Sequence, residues 1–201
     1  MADEPVAQQP EELAEGAGQG PSAERVYGRT ERLKEKNFFD ELLRIRDEQR
    51  KKKEQAIWLI KGKELPWEIN HHGKMQWYLH PSIEDVSLRT LMFYKQEIPA
   101  GSKSGRQKCQ GGVIFHILEG KGFTILDGIK HPWNAGDVLN LPLREEGCVY
   151  QHFNTDPEKP VVMVACEPNL IDVLGVDKGS GFEELEDSPE YRKLQEQEGN
   201  D

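Results

Sequence analysis

Two pairs of side chains with donor atoms suited to binding or catalysis sit two residues apart: Gln107 and Cys109 in RQKC, and Tyr150 and His152 in CVYQHF. On extended strands that spacing puts both members of a pair on one face. If both faces point inward, an amide oxygen, a thiolate, a phenol and an imidazole converge, with Cys109 and His152 as the metal ligands of the set. Cysteine and histidine suit Zn, Cu or Fe(II), and a neutral imidazole is the commonest protein ligand. The alternative is a wall without metal. His152 is then a hydrogen-bonded interior histidine, Cys109 a small buried filler and Tyr150 a lining aromatic.

The remaining candidates are weaker chemically. Arg106, beside the first pair, has a planar fork that could hold a ligand carboxylate or could equally be a surface charge. His116, in VIFHIL, has the opposite parity to Val113 and is expected in the packing between layers. His71 and His72 precede Gly73 in a linker, where isolated histidines are expected to face solvent. Cys109, Cys148 and Cys166 are odd in number, widely spaced and without a CxxC pattern, which reads as reduced thiols. GxSxG and GxxxxGK[ST] are absent, so no nucleophile elbow or phosphate loop competes.

The elements that must position these residues follow from periodicity. From Thr30, a plausible N-cap, to about Ile60 the chain has no Pro or Gly, and Phe38, Phe39, Leu42, Leu43 and Ile45 recur at helical spacing. Its basic segment RIRDEQRKKKEQ mixes both signs without interleaved aromatics, so it reads as a solvated face, and a nucleic-acid partner is not expected. A linker with Gly62, Pro66 and Gly73 follows. From Leu88 the pattern becomes short apolar runs divided by Gly, Pro and Asp: SLRTLMFYKQEI, GGVIFHIL, GFTIL, DVLNLP, CVYQHF and PVVMVAC. Runs of this kind predict an antiparallel sandwich or barrel, with Asp127-Gly128 as a tight hairpin. Asn169 is placed to cap a short helix ending at Gly175.

Charge is unevenly spread. Of the net −10, residues 1–24 carry −6 and residues 183–201 carry −6, which leaves +2 for the 25–182 middle. Both ends are poor in aromatic and β-branched residues, so most of both is expected to be disordered. No apolar run approaches the ~20 residues of a membrane helix, and MADEPVAQQPEELAEG lacks the basic and apolar regions of a signal peptide. A soluble cytoplasmic protein without a membrane partner is expected.

The stretch from Gly101 to Asn154 resembles the two-motif core of the cupins, small jelly-roll barrels whose motifs are G(X)5HXH(X)3-4E(X)6G and G(X)5PXG(X)2H(X)3N. Gly101, Gln107, Cys109, Val113 and Gly120 reproduce the spacing of the first motif. Gly136 with Pro142, and Gly147 with Tyr150 and Asn154, reproduce the second after extra residues between Pro142 and Gly147. The resemblance implies that Gln107, Cys109, Val113 and Tyr150 stand where metal-binding cupins carry their His, His, Glu and His ligands. The phrase LEGKGFTILDG…AGDVLNLP is also similar to the gentisate-type ring-cleaving dioxygenases, in which barrel iron binds a hydroxylated aromatic acid.

These readings predict a mainly β, cupin-like jelly-roll barrel over 86–182 with a short C-terminal helix. A helical extension and linker, 25–85, packs on it, between acidic tails 1–24 and 183–201. The expected ligand cavity is formed by Arg106, Gln107, Cys109, Val113, Tyr150 and His152. It holds a small molecule and either one divalent metal (Fe, Zn, Ni or Mn) or none. The leading function is a small-molecule-binding or accessory protein with a lost or remodelled metal site. The alternatives are a mononuclear metal-dependent oxidoreductase of the dioxygenase type, acting on a small aromatic or carboxylate substrate, and an interaction module using the basic helix and acidic tails. The apolar segment Ala56-Ile57-Trp58-Leu59-Ile60 predicts a homodimer.

Overall fold

The computed structural model describes residues 23–34, 36–170 and 182–199. Contacts divide the chain into two units, Met1–Lys51 and Lys52–Asp201. In the first, α1 (Ala23–Lys34) and α2 (Phe38–Glu54) stand where one helix from Thr30 is expected. Thr30 lies inside α1, and Asn37 starts α2 by accepting from the Phe39 and Asp40 amides at 3.1 and 3.3 Å. An Asn side chain satisfies orphan amides best just outside a helix, which fixes the break. The acidic N-terminal tail, 1–24, lies almost wholly outside the described residues.

The second unit is two antiparallel sheets. One runs β1 (Glu68–Asn70), β2 (Gly73–Leu79), β3 (Leu91–Ile98), β10 (Val161–Pro168), β5 (Ile114–Glu119) and β8 (Val138–Asn140) in spatial order. The other runs β11 (Phe182–Glu186), β4 (Arg106–Cys109), β9 (Cys148–Asn154), β6 (Lys121–Leu126) and β7 (Ile129–Asn134). Alternation sends one side of each strand inward: Phe115 and Ile117 are fully buried while His116 between them is exposed. His116 thus has the predicted parity, but it faces solvent rather than a second layer. Ile98, Val161 and Met163 meet Phe115 and Ile117 in the core, and burial of each such side chain contributes about 1.5–3 kcal/mol.

The hairpin from β6 to β7 turns at Asp127 (φ 49°) and Gly128 (φ 81°), the positive-φ pair a two-residue loop requires. In β6, Gly122 lets β9 approach; a Cβ there would stand 2.0 Å from the Phe153 carbonyl oxygen.

Two boundaries differ from the sequence reading. The barrel begins near Glu68, not at 86, because the linker run KMQWYL is β2, with Lys74 to Leu79 paired along β3. The acidic C-terminal end is also ordered over 182–199. Phe182, Glu183 and Glu184 of β11 pair with Cys109, Lys108 and Gln107 of β4, and helix α3 (Pro189–Glu198) follows. Its acids have partners. Lys103 Nζ lies 2.6 Å from Glu186, Ser102 Oγ donates to Glu190 at 2.7 Å, and buried Ser188 caps α3 by accepting from the Tyr191 amide. Composition counts charges without their partners, and these partners are more than eighty residues away in sequence. Beyond Leu170 the helix expected to end at Gly175 lies outside the described residues.

Candidate ligand cavity

Register builds the site. Gln107 pairs with Tyr150 and Cys109 with Cys148 across β4 and β9, so the inward positions of the two strands meet. Gln107, Cys109, Val113 and Tyr150 line one cavity of about 190 Å³. Arg106 alternates outward, exposed, with its Nε 3.9 Å from Glu186. His152 stands behind the wall, fully buried, with its ring edge-on to Phe115 at 4.5 Å.

The polar groups are ordered by donors and acceptors. Tyr150 Oη donates to Gln107 Oε1, and Gln107 Nε2 donates to Glu184 Oε2 at 2.8 Å. This chain fixes the amide orientation, because a carboxylate can only accept. Burial holds the Tyr150 phenol well above its ordinary pKa, so it keeps its proton. Burial likewise pushes the Cys109 thiol up to about 12, and its Sγ lies 3.9 Å from that of Cys148. His152 shares a 2.7 Å hydrogen bond between Nδ1 and Thr124 Oγ1, which accepts from Trp133 Nε1 at 2.9 Å. Its pKa is driven well below the usual imidazole value, first by burial and then by His72, so the ring is neutral.

Among the cavity residues that sequence reasoning missed are His72, Glu184 and Glu167. His72 is 4% exposed, with neither ring nitrogen hydrogen-bonded and Nδ1 3.9 Å from Glu184 Oε1. The turn from β1 to β2 puts it there: Asn70 Oδ1 accepts from the His72 and Gly73 amides at 2.9 and 3.1 Å. His71 diverges outward to Asp187, 2.7 Å away. The signal was present in Asn70-His71-His72-Gly73, an Asx turn ending on glycine. Glu184 comes from the segment expected to be disordered, and its Oε1 is buried without a hydrogen-bond partner. Glu167, at the end of β10, has its carboxyl raised by burial from an ordinary 4.5 to about 7. Among the described residues, no three His, Cys, Asp or Glu side chains are grouped to hold a metal ion.

Two antiparallel sheets around one cavity give the chain a cupin-like jelly-roll fold. It is similar to the polyketide cyclase RemF from Streptomyces resistomycificus, at 10% identity and a TM-score of 0.50 over 70% of this chain and 94% of that one. A cupin-like protein from Thermotoga maritima is 21% identical, with a TM-score of 0.43 over 60% and 84% of the two chains. A 5-aminosalicylate 1,2-dioxygenase from Comamonas sp is 21% identical over 110 residues, 55% of this chain and 28% of the dioxygenase. The match therefore spans little more than a quarter of that relative. No protein-family model matches the chain. No helix among the described residues is long and apolar enough to cross a membrane.

Proposed function

We propose that the barrel is a small-molecule-binding or accessory protein in which a hydrogen-bonding chain occupies the positions where metal-binding cupins carry their ligands. One observation carries this reading: at the motif positions, Tyr150 and Gln107 are joined to each other and to Glu184. A protonated phenol, an engaged amide, a protonated thiol at Cys109 and the aliphatic Val113 do not fit a divalent ion, which needs free lone pairs. The same groups suit recognition, since an apolar cavity with a few convergent polar atoms orients a small ligand. Metal analysis of protein purified without an affinity tag tests it, and a metal content far below one per chain is expected.

A second reading, a mononuclear metal-dependent enzyme of the dioxygenase type, draws support from interior atoms without hydrogen-bond partners: both ring nitrogens of His72, His152 Nε2 and Glu184 Oε1. One tightly held metal ion per chain would favour it over the first.

A further inference from the structure

Glu167 and Glu184 both line the cavity, and no Lys or Arg does so among the described residues. Glu184 Oε1 and both ring nitrogens of His72 are buried there without hydrogen-bond partners. His72 is more than nine-tenths buried, so water on an open surface does not satisfy it. A buried polar atom without a hydrogen-bond partner is costly, and a ligand that supplies N–H donors removes that cost at Glu184 Oε1 and at the one ring nitrogen of His72 that carries a lone pair. The other walls are largely apolar and include aromatic rings. Trp77 and Tyr94 stand with ring centroids 5.0 Å apart, and Trp77 Nε1 is held by Glu68 at 2.7 Å, which fixes the indole.

Charge then selects among ligands of one size. An anionic group would enter beside two carboxyls with no cation to receive it, and like charges at short range in a partly desolvated site repel. A protonated amine meets the reverse situation: carboxyl oxygens accept its N–H bonds, and the negative faces of the aromatic rings attract its charge. Volume limits the body of the ligand. An apolar cavity of roughly 150 Å³ takes up benzene, and this one is about 190 Å³. One ring with a short arm fits.

We propose that the cavity binds a small organic cation, a primary amine carried on one aromatic or similarly sized apolar body, with the amine between Glu184, Glu167 and His72. The proposal rests on the reading of the cavity as a ligand site, and its test separates the two. Benzylamine, benzyl alcohol and benzoate share a ring and differ in charge. Each is titrated by calorimetry into the full chain at pH 8. Benzylamine binds at least about tenfold tighter than benzyl alcohol, and benzoate gives no binding heat. Glu184→Gln and Glu167→Gln each weaken benzylamine about tenfold and weaken benzyl alcohol by a smaller factor, so the preference for the amine falls. Glu167 lies outside the β4 to β11 pairing, so its variant answers the question even if Glu184→Gln disturbs β11.

Benzoate or benzyl alcohol binding as tightly as benzylamine overturns the amine assignment and leaves the cavity reading standing. Benzylamine binding that neither glutamine variant changes also overturns it, because the amine is then held elsewhere. No binding by any of the three probes overturns the amine proposal and the cavity reading together.

Discussion

Glu167 offers a stability test whose sign and size follow from its position. Burial raises its carboxyl from an ordinary 4.5 to about 7, with no other cause contributing. Between those pH values the folded chain holds a proton that the unfolded chain releases. The stability linked to that proton is therefore full below the unfolded value and is lost as pH rises through the folded one. The whole gap corresponds to about 3.4 kcal/mol at about 1.36 kcal/mol per pH unit. Glu167→Gln keeps the shape and cannot ionise. The variant should be more stable than the wild type by about 3 kcal/mol at pH 8.5, and by less than about 1 kcal/mol at pH 5. Urea denaturation of both proteins at both pH values measures the difference, and groups common to both cancel. Equal stability at pH 8.5, or a difference independent of pH, would refute the burial of this carboxyl and with it the low polarity of the cavity wall.

Three further outcomes follow from the same contacts. Asn154 donates to the carbonyls of Ile98, Pro99 and Lys159 at 3.1, 2.9 and 2.8 Å, so Asn154→Ala should lower stability by about 2–3 kcal/mol in chemical denaturation. Ending the chain at residue 181 removes β11 and α3, takes the carboxylate from Gln107, and should lower the melting temperature markedly; an unchanged value would show that the C-terminal segment only decorates the barrel. Gln107→His with Cys109→His and Tyr150→His puts three imidazoles on the inner face, and the folded variant should gain affinity for Fe(II) or Ni(II) in a calorimetric titration.

How much of this was legible in the sequence depends on the range of the signal. Two-residue spacing is local, so the shared face of Gln107 and Cys109, and of Tyr150 and His152, could be read directly, as could the Asp127-Gly128 hairpin. The cupin fold was legible because its glycines and prolines hold fixed turns. Arg106 was misplaced because adjacency in sequence outweighed alternation, which sends it to the opposite face from Gln107. His72 and Glu184 were missed for another reason. They meet across 112 positions of sequence, and neither run signals the other. The acids of β11 and α3 read as a solvated tail until Lys103, Ser102 and Gln107 are seen to receive them.

What the cavity holds in the protein as purified separates a hydrogen-bonded ligand site from a metal centre. Native mass spectrometry of the untagged full chain, beside Gln107→Ala, reads this in one measurement. A wild-type mass that includes a small organic molecule and no metal, with the molecule diminished in Gln107→Ala, is the result expected from a hydrogen-bonded ligand site. A wild-type mass carrying one metal ion per chain, retained in Gln107→Ala, would contradict it.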